Sequence, residues 1–571
     1  MAESGKIKQD RIILQNNNSK PLRIARPFIA MKLQHTLLCL LLISFSAVVN
    51  AQQKKDDKMV IEFVHNNYLV HEATDTGSVD KFIGDVIFKQ GTDMMYCDSA
   101  YLRGQNYIEA FGNVRIVQQD GTQGESDYMR YTGSNKMAYM KGNVKLTDGK
   151  NSLWTEDLTY DVSSKVGVYT QGGTLQNDST TVSSDEGNYN GKTKYARFIR
   201  NVLVTQPHTE ITSDDLGYYT ETEVVEFYSC SVVTNDKAVL HTCDGSYDSK
   251  NEVAHFKGRS SVYNEGQYIE ADTINYSKIT GLGEAAGKAI IIDSEQHSTM
   301  YCGHAWYNEK QKRMLAIIKP VLKQVRDKDS LFIRADTFLS LPVPKPEDSI
   351  VQYKIMKVKK GKKEVEVKVV DSVSALERDS TRKHYFIGFH HVLIFSDSLQ
   401  GRCDSISYSQ VDSVVRMMYS PIAWSRRSQV TGDTILLYTD STELKKMYVP
   451  KKAFMVSQSG PDKAELYDQV QGETLTAHFV NSEMHDMLVT PDAQCIYYSK
   501  DDDGAYLGVV EAKSDSMKVF FKEGEVDKIY LIKDPHQTMT PMDKANIPGL
   551  RLDRFLWKPE LRPKTKEELF D

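Results

Sequence analysis

The chain has 571 residues, with 71 Lys and Arg against 77 Asp and Glu, a formal charge of −6 and 40% hydrophobic residues. That balance describes a foldable chain and not a disordered one. Residues 1–51 hold seven of the cations and two of the carboxylates, so the other 520 residues carry 64 against 75 and have no electrostatic reason to seek nucleic acid.

Residues 1–51 read as a signal peptide region whose effective start is Met31. Lys32 precedes an apolar run from Leu37 to Val49, and Val49-Asn50-Ala51 forms a small-residue cleavage site before Gln52. The run is broken by Ser44 and Ser46 and is too short to span a bilayer.

Beyond it the chain repeats. One slot returns every 29 residues as Phe82, Phe111, Met140, Tyr169, Phe198, Phe227, Phe256 and Ala285, which is the mark of stacked copies of a small unit. A second slot pairs a small residue with an acid, as in Cys97-Asp98, Ser126-Asp127, Ser184-Asp185 and Ala271-Asp272. Between them lie alternating segments that start at a glycine or a turn: Gly84-Asp85-Val86-Ile87-Phe88, Gly112-Asn113-Val114-Arg115-Ile116, Gly142-Asn143-Val144-Lys145-Leu146 and Arg200-Asn201-Val202-Leu203-Val204. Period-two alternation predicts half-buried strands, and short polar turns such as Thr132-Gly133-Ser134-Asn135 predict antiparallel neighbours. A unit with one apolar face must bury it on its neighbours, so two facing sheets are expected, with the aromatic and aliphatic slots lining the space between.

The pattern runs from 58 to about 340. A charged insertion with a projecting hairpin follows at 342–383, where Lys357, Lys359, Lys360, Lys362 and Lys363 surround Gly361. A looser second repeat region occupies 384–533, and 534–571 is a proline-rich tail, extended save for a short helix near its end. The six cysteines after the signal could form disulfides in an oxidising compartment. Cys97, Cys243 and Cys403 nevertheless share a slot with Ser126, Ser184, Ala271 and Ala335, so buried free thiols are expected for most. His390 and His391 are adjacent on a strand and face opposite sides, which disfavours a shared metal. Asp501-Asp502-Asp503-Gly504 reads as a polar turn and not a calcium loop. Aspartates that recur in every unit suit strand-end hydrogen bonding better than one active site. No nucleophile motif, phosphate loop or metal spacing is present, so no catalytic residue, metal or cofactor is expected.

The Gly-Asn-Val segments, the small-Asp slots with a tyrosine three or four residues on, and the secretory signal together resemble the OstA-like family. Its members include LptA and the N-terminal domain of LptD. The stretches Gly472-Glu473-Thr474 and Ala493-Gln494-Cys495-Ile496-Tyr497-Tyr498 look like the long members from Bacteroidetes-type bacteria. The resemblance implies an all-β, repetitive antiparallel β-jellyroll in the periplasm, possessed of no enzymatic activity, which shields the lipid A chains of lipopolysaccharide. Its implied partners are LptC-like and LptD-like jellyrolls or a second copy of itself, joined end to end. The candidate trough wall is then Phe82, Val86, Phe88, Phe111, Val114, Ile116, Met140, Val144, Leu146, Tyr169, Phe198, Val202, Val204, Phe227 and Phe256. A closed structural or adhesive solenoid and a β-helix enzyme acting on polysaccharide are the alternatives.

Overall fold

The computed structural model describes residues 61–571 apart from 75–76, 236, 326–329, 350–352, 361–362, 371–373, 375, 377–378, 380, 441–442, 481–482, 502 and 523–524. The signal region, Lys362 and Asp502 therefore lie outside the described residues. Alternation produces long strands: Gly77–Gln90, Asp93–Arg103, Tyr107–Val117, Gln123–Thr132, Met137–Thr147 and Ser152–Asp161. Each pairs antiparallel with the next. Among the described residues, 42 strands join one hydrogen-bonded sheet, and the fold is all-β.

Every long strand is bent once. Pairing slips between Ile83 and Val86, Phe111 and Val114, Lys141 and Val144, and Ile199 and Val202. At these places both residues of Gly84-Asp85, Gly112-Asn113, Gly142-Asn143 and Arg200-Asn201 carry positive φ. The glycine thus marks the middle of a strand and not its start, as the alternation alone suggested. A left-handed pair inserts a bulge that turns the strand out of its plane, and Gly and Asn bear that conformation at least cost. At Gly142, with φ +80°, an added Cβ would also lie 2.6 Å from the Asp127 carboxylate.

The bends align into a spine, and the sheet folds along it into two leaves. Residues before the bend of Gly77–Gln90 belong to the first leaf and those after it to the second. Phe82 and Phe88, on either side of that bend, meet across the interior with ring centroids 5.0 Å apart. One bent strand out and one back make up the 29-residue period. Side-chain hydrogen bonds tie neighbouring bends: Asn113 donates to Asp98 (2.9 Å), Asn143 to Asp127 (2.8 Å) and Asn201 to Asp185 (2.7 Å). The recurring aspartates are therefore spine acceptors.

The 29-residue ruler fails once. Phe111 is half-buried on the outer side, between Tyr101 and Tyr128 at 5.2 and 5.3 Å, and Ala110 takes the interior position two residues before Gly112. Interior residues in that part of the array are spaced 28 and then 30 apart, from Phe82 to Ala110 to Met140, because the bulge and not the count sets the facing. Phe198→Ala is expected to cost about 3–5 kcal/mol. Phe111→Ala should cost only about 1–2 kcal/mol, since it removes two outer-face aromatic contacts and opens no cavity in the interior. Urea melts of the two variants would compare them.

Cys97, Cys302, Cys403 and Cys495 are buried free thiols. Burial pushes Cys97, Cys403 and Cys495 up to about 12 and Cys302 to about 11, which suppresses thiolate chemistry. Cys243 corrects the expectation drawn from its slot, because it is bridged to Cys230 with an S–S distance of 2.07 Å. Slot cysteines are whole repeats apart, but Cys230 lies on the adjacent spine crossing, just before the strand Ser231–Asn235.

The array continues through the insertion. Thr337–Pro342 pairs with His384–Phe395 from Thr337↔Phe389 to Pro342↔His384, so residues 343–383 leave and rejoin the edge of the first leaf. Within them Tyr353–Lys360 and Lys363–Val370 form a separate two-stranded sheet. His390 reaches Asp404 (3.0 Å) and His391 reaches Asp336 (2.8 Å), two different spine aspartates.

The tail begins with a strand, His536–Pro541, paired to Tyr506–Ser514. Residues 542–571 then run back along the outer face of the second leaf. The buried amide of Gln469 donates to the Leu550 carbonyl (2.9 Å) and accepts from the Leu552 amide (2.9 Å). Gln429 treats Leu556 and Lys558 the same way, at 2.6 and 2.8 Å. Phe555 packs on Phe454 and Tyr467, and Leu569 is fully buried with Val321 and Phe332.

Candidate functional site

Opposite the spine, the hairpin turns of the two leaves meet along a seam. In the first half tyrosines close it. Tyr131 donates from the first leaf to Gln90, the last strand residue before a turn of the second, Tyr160 to Gln118 (2.9 Å) and Tyr189 to Asp148 (2.8 Å), while Tyr218 accepts from Asn177 (3.1 Å). These are the tyrosines that follow the small-Asp slot. Burial raises the Tyr131 and Tyr160 phenols to about 12, so they remain protonated donors. Burial alone would raise Asp148, but hydrogen bonds from Lys194, the Asn151 amide and Tyr189 outweigh it and hold the carboxyl well below its usual range.

Behind this laced seam the interior holds the residues singled out from the sequence. Phe82, Val86, Phe88, Val114, Met140, Val144, Leu146, Tyr169, Phe198, Val202, Val204, Phe227 and Phe256 are all buried and belong to one continuous cluster. Ile116 is partly buried against that cluster, and Phe111 lies outside it.

The second half is different. Between the leaves, from Leu331 to Ile529, lies a cavity of about 740 Å³, within the roughly 300–1,000 Å³ typical of small-molecule sites. The second leaf contributes Ile394, Val430, Met455, Val470 and Cys495 to its wall. The first leaf contributes Ile406, Leu437, Met447, Met487 and Val519. Phe479, Met484, Phe521 and Val526 stand nearer the turns, where the cavity reaches the seam. Methionine is unbranched and polarizable, so a wall rich in it adapts to irregular apolar shapes.

The mouth is charged. Arg426, Arg427 and Lys500 line it from the second leaf, and Glu443, Glu483 and Glu525 from the first. Arg426 is ion-paired with Glu483, and Lys500 lies 3.7 Å from Glu525.

One carboxyl lies deeper. Asp468 lines the cavity and accepts from the Tyr498 amide at 2.9 Å, and burial pushes it up to about 6. The native chain thus keeps a proton that an unfolded chain, with an ordinary value of about 3.9, has released. Stability falls as pH rises between those two values and stays lower above them. Asp468→Asn retains the acceptor and removes the fall. It should stabilise by up to about 3 kcal/mol near pH 8, less insofar as cavity water reaches the carboxylate, and by nothing near pH 3.5. Thermal melts at the two pH values would check this.

None of the cavity-wall residues was singled out from the sequence as lining a cavity, because the 29-residue beat loosens past residue 300. The available signal was the gathering of methionines at Met447, Met455, Met484 and Met487. Among the described residues no group of three or more His, Cys, Asp or Glu is placed to hold a metal ion. The Asp501 side chain accepts from the Asp503 and Ala505 amides at 3.1 and 2.8 Å, as a tight turn does.

Among known proteins, residues 57–214 match the OstA-like protein family. No curated protein matches the chain. Of the solved structures, the crystal structure of LptH aligns with 20% of this chain and 82% of that one, at 16% identity and a TM-score of 0.18. LptH is described as the LptA homologous periplasmic component of the conserved lipopolysaccharide transport device from Pseudomonas aeruginosa. A likeness so slight bears no weight on function.

Proposed function

We infer, for a chain that is OstA-like over residues 57–214, that it is a periplasmic carrier which shelters the acyl chains of lipopolysaccharide between its leaves and has no catalytic step of its own. The observation that carries the reading is the apolar cavity of about 740 Å³ open toward the seam. Water-exposed acyl chains cost about 0.8 kcal/mol per methylene, on the order of 10 kcal/mol for a chain of about a dozen carbons. A methionine-rich wall removes that cost without fixing one chain geometry. In this reading the acyl chains occupy the second half, and the interior row from Phe82 to Phe256, packed against itself, closes the first.

The end strands suit jellyroll partners of the LptC-like or LptD-like kind, or a second copy. Glu62–His65 and Tyr68–Thr74 stand at one end of the array, and Glu525–Ile532 and His536–Pro541 at the other. Exposed Tyr68 and Leu69 at the first end, and Tyr530 and Met539 at the second, would be covered in such a union.

The test is a photo-crosslinking residue placed at Met447 in cells making radiolabelled lipopolysaccharide. Label transfer at Met447 and none at outward-facing Tyr419 is the expected result. Equal transfer at both, or none at Met447, would remove the reading.

A further inference from the structure

The same seam is built in two ways. Over residues 90–218 buried tyrosines lace it with hydrogen bonds alongside the ion pairs Lys165–Asp120 and Lys194–Asp148, whereas over 426–525 the ties named across it among the described residues are charge pairs alone. Hydrogen bonds made in a buried setting resist competition from water and salt, but exposed ion pairs are weak and are screened. The second stretch is thus the part of the seam able to part.

Its two lips are unlike. The cations Arg426, Arg427 and Lys500 all lie on the second leaf, and Glu483 and Glu525, which pair with Arg426 and Lys500, lie on the first. The cationic lip is also anchored: Arg427 donates to the Gly460 carbonyl, and the Arg426 carbonyl accepts from Arg562 of the tail at 2.7 Å. On the acidic lip Glu443 is already occupied by Lys445 (2.9 Å), and the contact of Glu525 with Lys500 is long, at 3.7 Å. An arriving anion therefore meets donors on an anchored lip and displaces carboxylates held only through exposed or long ion pairs.

We propose that this stretch is a lateral portal for an anionic, phosphate-bearing amphiphile. The acyl chain passes between Val430 and Met447 into the cavity, and the phosphate takes the places of Glu483 and Glu525 on Arg426 and Lys500. A phosphate monoester offers three acceptor oxygens and up to two charges, so it outcompetes a single carboxylate for a guanidinium fork. The proposal rests on the carrier reading above for its class of ligand, and adds where the ligand enters and what holds its headgroup.

The test uses the whole chain and three single-chain probes: lysophosphatidic acid, lysophosphatidylcholine and a monoacylglycerol. Titration calorimetry of the native chain should give about tenfold tighter binding of the phosphate monoester than of the zwitterion, with the margin shrinking as salt rises. In Arg426→Glu/Lys500→Glu the ratio of the two affinities should fall to about one. Because reversing both charges could disturb folding, Arg426→Gln/Lys500→Gln serves as a second variant with the same expected loss of preference. Equal affinities in the native chain, or a preference that survives both variants, would overturn the portal. Lipopolysaccharide crosslinking at Met447 without any phosphate preference would sink the portal alone. A phosphate preference lost on substitution, with no crosslinking, would leave the portal standing and remove the carrier reading.

Discussion

Met447→Trp is expected to abolish lipid crosslinking to the cavity wall while leaving the chain as stable as the native one to within about 1 kcal/mol. Enlarging a side chain in a well-filled core forces neighbours off their rotamers and costs about 1–3 kcal/mol or more. At Met447 the added volume instead has about 740 Å³ to enter. The contrast is Met140→Trp. Met140 is fully buried in the first half, with its Cε already 3.2 Å from where a Cβ on Gly124 would stand. That variant should lose stability by at least the overpacking cost. Parallel urea melts and crosslinking yields at a Val430 probe would measure both effects. Comparable destabilisation by the two tryptophans would mean that the interior of the second half is as full as that of the first.

Removing residues 542–571 is the second large effect. The tail covers Trp424 and Phe454, both essentially inaccessible in the intact chain, and uncovering the two returns roughly 3–6 kcal/mol of apolar burial to water. The amides of Gln429 and Gln469 lose their tail partners but regain water, so the loss is chiefly apolar. Contacts in a stacked array are with nearest neighbours. Hydrogen exchange should therefore accelerate in the strands from Ile422 to Val509 and remain native from Gly77 to Tyr219. An unchanged melting temperature would show that the tail is only laid on the surface.

Much of the first half was legible. Alternation located the strands, the polar turns set them antiparallel, and repetition of the aspartates pointed to a structural acceptor, which Asp98, Asp127 and Asp185 are. What counting could not supply was the direction a residue faces after a bulge. Phe111 keeps the numerical period, but the bend at Gly112-Asn113 puts Ala110 inside instead. The Cys230–Cys243 bridge was hidden for a related reason, since adjacency along the spine is a property of the fold and not of the slot. The cavity escaped notice because empty space has no residue of its own. It arises where side chains from the two leaves, such as Met447 and Val430, leave space between them.

The course of the tail bears on how the molecule can be handled. Asp571 accepts a hydrogen bond from Lys319, and the Phe570 ring meets Tyr301 and Phe332 edge-on, near the midpoint of the array. A fluorescent protein or affinity tag fused after Asp571 would emerge from the flank at that midpoint, leaving the edge strands at both extremities clear for whatever docks there.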